Sequence, residues 1–236
     1  MNTRLLDGRL ALITGASRGI GAAVAERFAR EGAELVLVAR TVGGLEETDD
    51  RVREAGGKAT LVPLDLTEEG AADRLGLSLA QRWGRLDVLV ANAAMLGALT
   101  PLAHYEPALW DKVIALNLTA NWRLVRSLDP LLRASSAGRA IFVTSAIADS
   151  AKAYWGAYAV SKAGLEAMAR VYANELRKTN LKVNILDPGV ARTRMRAEAF
   201  PGEDPDTQTP PEAVTDAFVE LASSDCTKSG ETLRAQ

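Results

Sequence analysis

The sequence has a single cysteine, a single histidine and few aromatic residues, which make up 5% of its 236 positions. One cysteine cannot close an internal disulfide, so Cys226 reads as a helix-end or core thiol. One cysteine and one histidine cannot assemble a His/Cys metal cluster, and no metal is expected. A basic surplus is also missing. The 28 Lys and Arg against 30 Asp and Glu give a net charge of −2 and a pI near 5.6. With no Lys/Arg-rich run to follow a phosphate backbone, nucleic acid is not an expected partner. No apolar stretch approaches the length needed to cross a bilayer, so no membrane association is expected. Residues 1–8 lack the charged-then-apolar leader with a small-residue cleavage site that marks secretion. The expected location is the cytoplasm.

What is present describes a globular chain able to bury one substantial core, with 47% apolar and 25% charged residues. Short apolar runs alternate with longer segments of helical period, the pattern of repeated βα units. The predicted strands are 9–14, 34–39, 58–64, 86–91, 139–144, 182–186 and 231–233. Between them, helices are predicted over 19–31, 45–55, 68–83 and 107–133, the last broken near Pro130. Near-continuous apolar strands imply burial on both faces, hence a parallel sheet covered by helices. The fold class is therefore α/β: a single Rossmann-type domain spanning 1–236, doubly wound on about seven strands. A Pro/Asp/Thr-rich stretch at 200–211 is too short to link domains and reads as surface loop.

Between the first strand and its helix stands T-G-A-S-R-G-I-G, Thr14 to Gly21. Gly15, Gly19 and Gly21 let the backbone turn tightly and approach a pyrophosphate, and the helix N-terminus offers it free N–H groups. The alternative is a glycine turn without a ligand; the strand–loop–helix setting favours the phosphate site.

This spacing resembles the short-chain dehydrogenase/reductase family, and later phrases extend the likeness over nearly the whole chain. In order they are Asp65 after the third strand, N-A-A at 92–94, Asn117 in the long helix, Ser145 after the fifth strand, Y-A-V-S-K at 158–162 and P-G-V-A-R-T at 188–193. Further phrases, W-G-A-Y-A-V-S-K and M-R-A-E-A-F-P-G-E-D-P, resemble a bacterial subgroup of short-chain oxidoreductases of unassigned substrate. The resemblance implies cofactor contacts from Ser17, Ile20, Leu66, Ala93, Pro188, Gly189, Val190 and Thr193 besides the three glycines. It places Asp65 at the adenine amino group, although a carboxylate there could equally cap the helix that follows. It places Asn92 beside the adenosine ribose and the central sheet. Where the family usually has N-A-G, this chain has N-A-A, and Ala94 is expected to constrain the backbone slightly.

Charge bears on the choice of cofactor. NAD-binding enzymes of this fold commonly carry an acid at the end of the second strand for the ribose 2′-hydroxyl. Here that end reads V-A-R, with Ala39 at the acid's position and Arg40 next. A guanidinium suits a 2′-phosphate, and Arg18 could close on the same group. NADP(H) is expected to be preferred and NAD(H) tolerated, although both arginines could simply be solvated.

Tyr158 and Lys162 lie four residues apart in a helical segment and share a face. An ammonium close to a phenol favours the phenolate and tunes it for acid–base work. Ser145, at a strand's C-terminal end, could steady a substrate oxygen or merely close a turn. The resemblance implies that Lys162 also binds the nicotinamide ribose and that Asn117 holds a proton-relaying water. An Asn at this point of a helix could instead simply distort it. The expected activity is hydride transfer between NADP(H) and a small carbonyl or alcohol, with Tyr158 as general acid and base. A silent NADP(H)-binding sensor and a structural subunit are the alternatives. Tyr154, Trp155, Met195 and Phe200 could line an apolar substrate pocket, cover the core or meet another subunit. A small substrate lid is expected over about 190–212. By resemblance, the helices flanking the fifth strand pair in a dimer or tetramer.

Overall fold

The computed structural model describes residues 4–236. Seven strands form one all-parallel sheet: β1 (Leu10–Thr14), β2 (Glu34–Ala39), β3 (Lys58–Pro63), β4 (Val88–Ala91), β5 (Arg139–Val143), β6 (Lys182–Asp187) and β7 (Thr232–Arg234). Their order is β3-β2-β1-β4-β5-β6-β7. The chain winds outward from β1 in one direction and from β4 in the other, so β1 and β4 flank the point where such sheets open a crevice at their C-terminal ends.

The period-two alternation of the strands divides the core into two layers. Leu12, Val36, Leu89, Phe142 and Ile185 face one way, against α3 (Ala71–Trp83), α5 (Ala120–Ala134) and α7 (Gly156–Glu175). Ile13, Leu35, Leu37, Val90 and Ile141 face the other, against α1 (Gly19–Arg30), α2 (Val42–Glu54) and α9 (Thr215–Ala222). Cys226 is half-buried just past α9 and packs at the edge of this second layer. Among the described residues no helix is long and apolar enough to cross a membrane.

Three local expectations need correcting. The helix predicted over 107–133 is not broken at Pro130; α5 runs through it to Ala134. Pro130 lies on the exposed face, where water can satisfy the carbonyl that its missing N–H leaves unpaired. The irregularity sits earlier, as a π turn over Ala115–Thr119 between α4 (Pro107–Ile114) and α5. The helix predicted to start at Glu68 begins at Ala71, behind Gly70 in the left-handed region. Asp65 does not cap it. Its Oδ1 accepts from the Thr67 N–H at 2.9 Å and the Thr67 hydroxyl at 2.6 Å, closing a local turn.

Candidate functional site

The strand ends β1, β4 and β5 meet the starts of α1 and α7 at one cleft of about 530 Å³. Its floor at one end is the glycine turn. Gly15 has φ +66°, and a Cβ there would stand 2.9 Å from the Ala93 Cα, a contact no side chain tolerates. Gly21 is held closer still: a Cβ would stand 2.3 Å from the Gly15 carbonyl oxygen. Gly19, at φ +54°, would meet only the Thr193 side chain at 3.5 Å. The turn is thus closed beneath and open above, a cradle with the start of α1 pointing into it. Glycine stands where the backbone leaves no room for a Cβ.

Asn92 and Thr14 hold that turn. Asn92 Nδ2 donates to the Thr14 carbonyl at 2.9 Å, while the Thr14 hydroxyl accepts from the Asn92 and Ala93 N–H groups, each at 3.0 Å. Asn92 therefore fastens the end of β4 to the end of β1. Ala94 costs nothing here, because the only described non-glycine residues with positive φ are Ala151 and Tyr154. The left-handed step comes three residues later at Gly97, φ +77°, where a Cβ would strike the Tyr105 hydroxyl.

Ser17, Arg18, Ile20, Arg40, Asp65, Leu66, Pro188 and Thr193 all line the cleft together with the turn. Arg40 reaches across its rim with a side chain 69% exposed, and Nη1 lies 3.8 Å from Asp65 Oδ2. Partial burial pushes the Asp65 carboxyl up, but the two Thr67 bonds and the Arg40 charge outweigh it and hold the carboxyl low. Thr193 caps the short α8 (Arg194–Ala199), its Oγ1 accepting from the Arg196 N–H at 3.2 Å. Val190, expected at the cofactor, is 44% exposed and does not line the cleft. Gly189, at φ +70°, serves the turn itself.

At the other end of the cleft stands the face of α7 that carries Tyr158 and Lys162, which are 8% and 2% exposed. Burial pushes the Tyr158 phenol up to about 12; the Ser145 hydroxyl beside it works downward and the Asp187 carboxylate upward. The expectation that Lys162 depresses the phenol is not what moves it in the free site. The ammonium lies 5.8 Å from the ring centroid, and its Nζ donates to the Val143 carbonyl at 2.7 Å. Burial in turn lowers Lys162 to about 8, opposed by Glu166. Ser145 is half-buried past β5, where its hydroxyl starts α6 (Ile147–Ser150) by accepting from the Ile147 N–H at 3.4 Å.

Asn117 is fully buried in the π turn. Its amide makes a two-way clamp on the Met95 backbone, accepting from its N–H and donating to its carbonyl, both at 2.9 Å, and also reaches Ser161 Oγ at 3.1 Å. The Asn117 carbonyl accepts from Asn121 Nδ2 at 2.8 Å. The side chain that distorts the helix also fixes the loop after β4 against α7.

Three of the four residues expected around a substrate come together. Trp155 packs edge-on to Tyr158 and tilted to Phe200, each at 5.9 Å, with Met195 and Leu96 in the same cluster. Tyr154 does not join them: it is 60% exposed at φ 75°, its carbonyl accepting from the Thr100 N–H at 3.0 Å.

Two carboxylates at this end escape a reading of the sequence alone. Asp187, 5% exposed, accepts from the Gly189 N–H at 3.0 Å and faces the phenol. Glu166 lies one turn beyond Lys162. Only burial separates them from ordinary surface acids, and burial is not written in D-P-G or L-E-A. Asp187→Asn should lower the Tyr158 titration, because a charge that opposes the phenolate is gone. An ultraviolet titration of the phenol that shows no downward movement would remove Asp187 from this role.

The family profile described as short chain dehydrogenase matches residues 9–204. The "Uncharacterized oxidoreductase YciK" of Escherichia coli is 37% identical over 98% of this chain and 93% of its own length. The rhamnolipids-biosynthesis 3-oxoacyl-[acyl-carrier-protein] reductase of Pseudomonas aeruginosa is 37% identical over 80% of this chain and 75% of its own length. A short-chain dehydrogenase of Shigella flexneri, solved in complex with NADP, superposes with a TM-score of 0.95 at 35% identity, covering 100% of both chains. With the glycine cradle, the parallel sheet and a match over most of its length, the chain belongs to the short-chain dehydrogenase family.

Proposed function

We propose that this protein is an NADP(H)-dependent oxidoreductase that interconverts a carbonyl and an alcohol, with Tyr158 exchanging the proton. The observation that carries the reading is a single cleft that runs from the glycine turn to the Tyr158–Lys162 face of α7. The cradle at Gly15 and Gly21 suits a pyrophosphate, and Arg18 and Arg40 stand where a 2′-phosphate needs cations. Asp65 would receive the adenine amino group and Asn92 the adjoining ribose side, with Pro188 and Thr193 toward the nicotinamide. The NADP complex of the Shigella flexneri relative supports the same assignment. When bound, the cofactor supplies or accepts the hydride.

The chain's own residues supply the rest. Ser145 steadies the substrate oxygen as charge develops on it. Tyr158, a phenol protonated at neutral pH and pushed further up by burial, donates the proton in reduction. Lys162 can exchange its bond to the Val143 carbonyl for a ribose hydroxyl, and its ammonium favours the phenolate left behind. The Asn117 main-chain carbonyl, in the π turn and bonded by Asn121 Nδ2, is the group that would hold a relaying water. The segment 190–212 is the substrate lid in this reading, with Met195 and Phe200 facing Trp155. That apolar wall suits a carbonyl with an apolar neighbour.

The test is a panel of aldehydes, diketones, 3-oxoacyl thioesters and alcohols assayed with NADPH and NADH. Turnover of an apolar carbonyl with NADPH is expected. Tight NADPH binding without turnover of any member would leave a cofactor-binding protein and defeat the reading.

Self-association belongs to the same proposal. α5 and α7 keep apolar side chains in water, with Trp122 49%, Val160 48% and Val171 57% exposed, whereas Leu165 and Tyr172 are spent on the core. A dimer or tetramer through these helices is expected. A monomeric mass by light scattering at micromolar protein would overturn it.

A further inference from the structure

α7 carries a second buried charged side chain that the chemistry above does not use. Glu166 is 3% exposed, a position glutamate occupies only when it is paired. Its Oε1 accepts from the Thr144 hydroxyl at 2.7 Å and its Oε2 from Arg170 Nη2 at 2.7 Å. Thr144 is itself 3% exposed, next to Ser145, and anchored by its N–H to the Leu186 carbonyl at 2.8 Å. The carboxylate therefore sits at a fixed place between the end of β5 and α7, one helical turn beyond Lys162.

A purely mechanical tie would account for those two bonds. It would not account for the charge balance. The Lys162 ammonium is buried, and the acceptor it reaches, the Val143 carbonyl, is neutral. A cation out of water needs a compensating charge as well as a hydrogen bond. Among the described residues no carboxylate lies within 4 Å of this ammonium, Glu166 being in contact with Arg170 instead, so its counter-charge acts at longer range. On its own helix stand Tyr158, Ser161 and Glu166, with Arg170 beyond. β5 offers the Val143 carbonyl and Thr144, β6 offers Asp187 near the phenol, and the π turn offers the uncharged Asn117 through Ser161.

We propose that Glu166 is a positioning residue for the reaction: its buried carboxylate, oriented by Thr144 and Arg170, is the counter-charge of the Lys162 ammonium on the catalytic face of α7. This rests on the role given to Lys162 under Proposed function. Burial alone lowers Lys162, and Glu166 is the charge that pulls against it, leaving it near 8. Without that charge the ammonium loses its proton at lower pH, so the group that holds the ribose and favours the phenolate fails earlier as pH rises.

The test titrates Lys162 in the whole, cofactor-free protein by NMR of 13Cε-labelled lysine, with Lys162→Met identifying the resonance. The wild type is expected to titrate near 8, Glu166→Gln distinctly lower, and Glu166→Asp, which keeps the charge, to return toward the wild type. In the assay, the basic limb of kcat/KM for NADPH, which reports groups of the free enzyme, should move down with Glu166→Gln while the carbonyl KM stays. Each unit of movement costs about tenfold in activity above the limb. An unmoved Lys162 titration in a folded Glu166→Gln variant overturns the proposal. A moved titration with an unmoved basic limb overturns the catalytic role of Lys162 instead, and the positioning role with it. If Glu166→Gln fails to fold, the double variant Glu166→Met/Arg170→Met takes its place, removing the bonded pair as a unit. Losing the Arg170 cation alone would raise Lys162, so a downward shift in the double variant supports the proposal and none overturns it.

Discussion

Replacing Tyr158 with Phe is expected to cut turnover by about a hundred- to ten-thousandfold while cofactor affinity stays nearly unchanged, the range that a positioned acid–base group contributes. The substitution removes one oxygen and little else. The ring keeps its edge-on contact with Trp155 at 5.9 Å, and the site is already apolar around it. The pH dependence should run in one direction. With the phenol pushed up to about 12 and Lys162 down to about 8, both are protonated at neutral pH, as carbonyl reduction requires. Reduction should therefore hold steady below about pH 8 and decline as Lys162 loses its proton. The check is single-turnover reduction with the wild type and Tyr158→Phe on a substrate from the panel, beside a fluorescence titration of NADPH. Rates within a factor of a few would take Tyr158 out of the proton transfer.

Most of the sheet is legible in the sequence because its strands are buried on both faces. L-A-L-I-T, E-L-V-L-V-A and R-A-I-F-V could be little else between helical periods, and their bounds come within one or two residues. β3 is the outermost strand beside β2 and half-exposed, yet its β-branched and apolar residues still mark it. The helix around Asn117 was harder to read. Pro130 is the visible breaker, but a proline on a wet helix face is tolerated, whereas the π turn depends on the clamp between Asn117 and Met95, 22 residues apart. No local window contains both partners. Asp65 shows the same limit in miniature, since a carboxylate before a helix suggests a cap until Thr67 takes both of its bonds on one oxygen.

The site divides along similar lines. The glycine turn, Ser145, Tyr158 and Lys162 stand out in the sequence because the chemistry proposed for them demands fixed residue types at fixed spacing. Their environment does not. That Tyr158 rises in the free site follows from burial and from Asp187, which reaches it from another strand. That Lys162 is lowered follows from the absence of water around its ammonium, which no spacing rule conveys. Trp155 and Phe200 meet across 45 residues of chain, so the apolar wall beside the phenol appears only once β5, β6 and α8 are in place.

NADPH should bind more tightly than NADH, and the exposure of Arg40 decides by how much. A hydrogen bond to a charged group contributes about 1.5–3 kcal/mol, or roughly ten- to a hundredfold. Arg40 is 69% exposed and already lies 3.8 Å from Asp65, so solvent screening and a competing carboxylate favour the lower end, about tenfold. Arg18, exposed within the glycine turn, adds to the same field and not to a fixed contact. Being electrostatic and near the surface, the preference should shrink as salt is raised, which a difference in packing would not do. Replacing Ala39 with Asp and Arg40 with a neutral residue should reverse it, because a carboxylate repels the 2′-phosphate and accepts from a 2′-hydroxyl. Ala39 is 9% exposed at the end of β2, so the double variant is compared with the wild type only after thermal melting shows that it is folded. Titrating both reduced cofactors into the two proteins at low and high salt makes the comparison. Equal affinities in the wild type would mean that Arg40 belongs to Asp65 and the solvent, and that the 2′-phosphate finds no partner at this rim.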